Sequence, residues 1–306
     1  MIWILLAFLS ASLLGFYDVF KKQSLKENAV IPVLLLNTLF SSLIFVPFIW
    51  LSHTGQIAEG SMFFCQEYGW EGHKYIFIKS CIVLASWLLA YFGLKHLPLT
   101  IVGPINATRP VMVLVGAMII FAERLNLWQW LGVLVALIGI ELLKHTSKKE
   151  GINWFKDKWI YFVFLANVLG AISGLYDKYL MASPANGGVG LNKMAVQGWY
   201  NIYQFFMMAA MLILLWWPTR KKTTPFHWHW SIIGVSIFLS TADFMYFYSL
   251  SLPDAMISIV SMVRRGSVIV SFLFGAVFFH EKNLKAKAFD LALVLLGMIF
   301  LYIGTN

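Results

Sequence analysis

Gly15-Phe16-Tyr17-Asp18, late in the first apolar run, recurs as Gly174-Leu175-Tyr176-Asp177 in the sixth. The correspondence continues outward from this pair. Leu97-Pro98 opens the fourth run and Leu252-Pro253 the ninth. Arg109 lies midway along the fourth run, and Arg264 and Arg265 midway along the ninth. Phe121-Ala122-Glu123-Arg124 closes the fourth and Phe279-His280-Glu281-Lys282 the ninth, and Gly139 is matched by Gly297. Order and spacing agree except for a small length difference inside the ninth run. The pattern predicts two five-helix halves, 1–144 and 159–306, joined by a basic linker at 145–158. An odd number of spans per half turns the second half upside down, the inverted repeat through which many secondary transporters alternate access.

The apolar runs lie at 2–20, 31–51, 75–94, 98–121, 126–143, 159–180, 196–217, 230–250, 254–279 and 287–304. A spanning helix needs about 20 apolar residues, so ten spans account for most of the 306 residues. Composition agrees. Hydrophobic residues make up 60% and charged residues 12%, against roughly 45–50% and about 25% in soluble domains. The predicted fold is an all-α polytopic membrane protein with ten transmembrane helices in two inverted repeats. The runs are continuous, without the alternation of barrel strands. The first run lacks the basic segment that begins a signal peptide, and the repeat matches it to an internal helix, so it reads as a retained span. The net charge of +9 sits in short stretches between apolar runs and orients the chain in a bilayer; no nucleic-acid partner is expected. Cys65 and Cys81 are too few for a disulfide framework or a zinc site, and no cofactor is expected.

The repeat provides an internal control for orientation. Lys21, Lys22 and Lys26 follow the first run, and Arg220, Lys221 and Lys222 the seventh; Lys282, Lys285 and Lys287 lie between the ninth and tenth. Their counterparts in the other half carry fewer basic residues, and the linker adds Lys144, Lys148, Lys149, Lys156 and Lys158 to the rich side. Lys- and Arg-rich short loops stay in the cytoplasm. Both termini are therefore expected outside, in the inner membrane of a bacterium, with the linker inside.

Charges deep in apolar runs mark function by default, because each costs on the order of 3 kcal/mol unless it faces protein or water. Arg109, Arg264, Arg265 and Asp243 lie far from any predicted helix end, with Asn106 three residues before Arg109 and Ser261 and Ser267 three either side of Arg264. They suggest a midplane solute site between helices 4, 8 and 9, helices 1, 3 and 6 contributing, flanked by Trp87, Tyr91 and Tyr246; a structural ion pair is the alternative. Tyr200 and Tyr203 are further aromatic candidates. Asp18 and Asp177, with Tyr17 and Tyr176 beside them, read either as gates at opposite faces or as local pairs with Lys21, Lys22 and Lys178. Glu123 and Glu281 suit the positive N-terminus of the helix that follows each. The Gly-rich run 186–190 lacks the Lys-Ser/Thr of a phosphate loop.

The segment 121–132, together with 279–284 and Arg109-Pro110, resembles the EamA-type transporters of the drug/metabolite transporter superfamily, and the resemblance covers nearly the whole chain. It implies ten helices, a central cavity and small organic substrates such as amino acids, sugars, nucleobases or amphipathic cations. Many ten-helix members have cytoplasmic termini, whereas the loop charges here argue the reverse. The function expected is secondary active transport of a small polar or anionic metabolite, driven by a proton or sodium gradient or by exchange; a homodimer is compatible with it. A non-transporting scaffold or sensor is the alternative. An intramembrane enzyme is disfavoured, since no hydrolase or metalloprotease motif is present, and no Walker motif supports direct ATP hydrolysis.

Overall fold

The computed structural model describes residues 2–121, 126–148, 156–181, 183–184, 187–252, 260, 263–278 and 284–304. Among these residues every regular element is helical. The helices are α1 (Ile2–Leu25), α2 (Val30–His53), α3 (Trp70–His96), α4 (Leu99–Ala107), α5 (Arg109–Phe121), α6 (Leu127–Lys148), α7 (Lys158–Met181), α8 (Lys193–Met211), α9 (Ser231–Ser251), α10 (Ser267–Val277) and α11 (Leu284–Ile303). Six described helices are long and apolar enough to cross a membrane: α1, α2, α3, α7, α9, and α8 with its extension to Thr219. That extension passes through a π turn at Leu212–Trp216, just before Pro218, whose missing N–H removes a helical hydrogen bond.

The fourth apolar run is not one helix. Pro110 has no N–H to give to the carbonyl of Asn106, and its ring crowds that carbonyl. The chain closes α4 with a tight turn instead: the Thr108 N–H and hydroxyl donate to Ile105 O at 3.2 and 2.7 Å. Arg109 therefore opens α5, a correction to its expected place midway along a helix. A second break stands at Gly266, whose N–H donates to Val263 O at 2.9 Å, directly after Arg264 and Arg265. Leu97 and Leu252 both take extended backbone, as the clash with a following proline ring requires. Helix α6 runs on through Lys148, into the first residues of the stretch expected as linker.

Bilayer lipid is as apolar as leucine, so helices here are held by close packing and interhelical hydrogen bonds. Helix α1 packs on α9 and α10, α7 on α3 and α5, α2 on α8, and α6 on α11. A Cβ on Gly139 would fall 2.8 Å from Val294 Cγ2, so glycine is what lets α6 and α11 approach. Buried amides and hydroxyls join α1, α2, α8 and α9: Ser10 Oγ donates to Ala242 O at 2.7 Å, Gln197 Nε2 to Ser240 O at 2.9 Å, and Ser236 Oγ to Asn37 O at 3.2 Å.

The two ends of the bundle are separately tied. At one end Ser249 Oγ donates to Trp3 O at 2.8 Å and the Asn192 N–H to the Tyr68 hydroxyl at 2.7 Å. At the other, Asn28 Nδ2 donates to His227 O at 2.7 Å and Lys95 to Thr224 Oγ1 at 2.8 Å. Outward-facing residues such as Leu5, Phe8, Leu43, Leu214 and Leu273 are more than half exposed, which suits lipid rather than water. Trp50, Trp70, Trp217 and Trp230, near helix ends, are exposed as well, as in the aromatic belts of membrane proteins.

Candidate functional site

Between these helices lies a cavity of about 160 Å³. Helix α1 supplies Tyr17, Asp18 and Lys21; α3 supplies Lys79, Ser86 and Trp87. Asn106 and Arg109 enter from the α4–α5 break, and Arg264, Arg265 and Ser267 from the break at Gly266. Gly170, Ser173 and Asp177 come from α7, Tyr200 from α8, and Asp243 and Tyr246 from α9. Three of the charged residues of this polar interior come from the two breaks, and Asp18, Lys21, Lys79, Asp177 and Asp243 come from continuous helices.

Three carboxylates in the lining are each paired. Asp243 accepts from Arg264 and from the Tyr200 hydroxyl, the latter at 2.8 Å. The Arg264 guanidinium also lies 4.1 Å from the centre of the Tyr246 ring, a stacked cation–π contact. Asp177 forms a buried ion pair with Lys79, whose ammonium faces the Tyr200 and Phe247 rings at 5.1 Å each. Asp18 lies 3.4 Å from Lys21 Nζ and accepts from Ser271 Oγ at 3.1 Å. Behind Lys21 a hydrogen-bonded row leads away from the cavity: Lys21 to Tyr17 at 3.4 Å, Tyr17 to Tyr91 at 3.4 Å, and Asn37 Nδ2 to Tyr91 at 3.3 Å. Arg109 Nε donates to Asn167 Oδ1 at 3.3 Å.

Of the candidates named from sequence, Trp87, Asn106, Arg109, Asp243, Tyr246, Arg264, Arg265, Tyr17, Asp18 and Asp177 line this one cavity. Tyr91 stands behind the lining, fully buried in the hydrogen-bonded row. Tyr176 stands outside it and donates to Tyr75 O at 3.3 Å. Ser261, Glu123 and Glu281 lie outside the described residues. The expected local pair between Asp177 and Lys178 is corrected: Asp177 turns inward to Lys79. Lys21 and Lys287, counted among orienting loop charges, are corrected too. Both are buried within helices, and Lys287 donates to Thr100 Oγ1 at 2.8 Å.

Sequence reasoning missed Lys79. A lone lysine inside the third apolar run satisfied the same depth argument that singled out Arg109. Ser86 and Ser173 carried no comparable signal.

A second hollow, about 430 Å³, lies among α2, α3, α8 and residues 65–68, lined by Val46, Ile49, Trp50, Trp199 and Ile202 with the His53–Glu67 pair. It holds none of the deep charges. Cys65 lines it, buried, and burial with the nearby Glu67 charge pushes its thiol up to about 11.

Residues 1–144 match the model of the EamA-like transporter family. The first half of the chain is thus EamA-like, consistent with an EamA-type transporter of the drug/metabolite transporter superfamily. Proteins of that family are membrane transporters, and the apolar helices of this chain support a multi-pass membrane protein. A solved chain described as "Crystal structure of protein" has a TM-score of 0.64 to it at 14% identity, over 99% of this chain and 97% of its own length. At that identity the likeness is one of fold. No curated protein matches the chain.

Proposed function

We propose that this chain moves a small polar or anionic organic metabolite across the bacterial inner membrane by secondary active transport with alternating access. The observation that carries the reading is the charged cavity, in which Arg109 from one half and Arg264 and Arg265 from the other meet Asp243. A transporter of inverted repeats binds its solute at such a junction, and a charge at that depth costs too much to stand without a use.

The ten-span, two-repeat arrangement is part of the proposal. Its support is the symmetry of the packing: exchanging the halves turns the α1–α9 contact into α3–α7 and the α1–α10 contact into α5–α7, and returns α2–α8 and α6–α11 to themselves. Repeat boundaries at 1–144 and 159–306, termini outside and a cytoplasmic linker belong to the same reading. Asp18 and Asp177, each held by a lysine, then gate opposite faces. A proton or sodium gradient or solute exchange supplies the driving force.

The test is solute counterflow in proteoliposomes containing the full chain, with a panel of radiolabelled anions, zwitterions and cations. Arg109→Lys keeps the charge but loses the planar fork, so it should weaken solute binding while the protein folds normally. Arg264→Lys and Asp243→Asn should do the same. Wild-type affinity and rate in all three would exclude this cavity as the site.

A further inference from the structure

Among the described residues the charges of the cavity do not balance. Its described lining holds five basic side chains, Lys21, Lys79, Arg109, Arg264 and Arg265, and three acidic ones, Asp18, Asp177 and Asp243. Three cations are matched one to one: Lys21 with Asp18, Lys79 with Asp177, Arg264 with Asp243. Among the described residues no carboxylate pairs with Arg109 or Arg265. Arg265 Nε is buried and has no hydrogen-bond partner there, and neither has Arg264 Nε. Arg109 and Arg265 line the same cavity. Arginine does not shed its proton in proteins, so it cannot relieve this excess of two positive charges by titrating. The missing side chain of Gly170 on α7 leaves the room that the Arg109 guanidinium occupies.

We infer that the cavity takes a small solute with two negative charges, a dicarboxylate or a phosphomonoester, held between Arg109 and Arg265. This rests on the transport reading above and adds the substrate's charge to it. A planar guanidinium offers two parallel N–H donors to a carboxylate or phosphate, and two guanidiniums from opposite halves grip a doubly charged solute from two sides. Trp87, Val83 and Ala90 form an apolar wall for its carbon body, and Asn106 and Ser173 offer polar contacts. About 160 Å³ is below the roughly 300–1,000 Å³ of drug-sized sites, so the body is short.

The experiment measures binding to the purified full chain by thermal shift and by calorimetry at pH 7.5. The probes are succinate and glycerol 3-phosphate as dianions, succinamate as the matched monoanion, inorganic phosphate, alanine as a zwitterion and choline as a cation. Succinate or glycerol 3-phosphate should bind at least about tenfold more tightly than succinamate, as expected for one extra charge-assisted contact, and the better of the two separates dicarboxylate from phosphomonoester. Arg265→Gln and Arg109→Gln should each erase that tenfold preference, whereas Arg265→Lys, which keeps the charge and guards against a misfolded glutamine variant, should retain most of it. Tighter binding of succinamate, alanine or choline than of either dianion overturns the inference and leaves a transporter of another solute class. A preference for dianions that survives in both glutamine variants also overturns it. Absence of binding by every probe overturns the inference and counts against the cavity as a solute site.

Discussion

The guanidinium of Arg109 lies directly over Gly170: a Cβ at Gly170 would fall 2.4 Å from Arg109 Cζ and 2.6 Å from one of its terminal nitrogens. The neighbour that would have to move is the far end of a flexible side chain, not backbone, so the protein can absorb a methyl group there by turning the guanidinium aside. Gly170→Ala should therefore leave thermal stability within about 1 kcal/mol of wild type while weakening solute binding as Arg109→Lys does. Paired melting curves and counterflow rates check this; a large loss of stability with intact binding would show that Gly170 serves packing alone.

Lys79 and Asp177 are each almost fully buried against the other. Removing one partner strands a buried charge, at a cost of about 3–5 kcal/mol, whereas removing both is far milder. Lys79→Met and Asp177→Leu should each destabilise the protein strongly, and the double variant should recover most of the loss. If the pair is also a gate, the double variant should fold yet change the accessibility of single cysteines placed in the cavity. Unchanged accessibility and transport in a stable double variant would leave the pair a structural one.

Cys65 should be slow to alkylate. Its thiol, pushed up to about 11, is neutral at pH 8, and only the thiolate reacts. With Cys81 replaced by Ser, the maleimide rate at Cys65 should climb about tenfold per pH unit from pH 8 to 10 without levelling off, and should jump on unfolding in detergent. The sign follows from the raised value: the folded state favours the neutral thiol, so this contribution to stability is present at neutral pH and fades as pH rises toward 11. A plateau below pH 9.5 would contradict it.

Ser61 and Thr223 are exposed in loops at opposite ends of the bundle. With termini outside, a single cysteine at Ser61 should react with an impermeant maleimide in intact cells, and one at Thr223 only after permeabilisation. The reverse pattern would invert the orientation, and equal labelling of both would indicate dual topology.

The helical class and most of the spans were legible in the chain because lipid imposes a one-dimensional rule. A spanning segment must satisfy its own backbone hydrogen bonds and stay apolar for about 20 residues, and that can be counted. Deep charges such as Arg109 and Asp243 stood out for the same reason, and Lys79 would have under the same count. The breaks were not legible as breaks. Arg109-Pro110 read as a motif within one helix, although Pro110 was on the page to end α4 at Thr108. Pairing was beyond the sequence altogether. Asp177 has Lys178 beside it in the chain, yet consecutive helical residues point in different directions, and packing of α7 on α3 delivers Lys79 to it from 98 positions away. Likewise only the fold separates Arg264, matched by Asp243 and stacked on Tyr246, from Arg265 next to it. Local sequence sets which residues are charged and how deep they lie; side-chain direction and helix packing decide which charges meet.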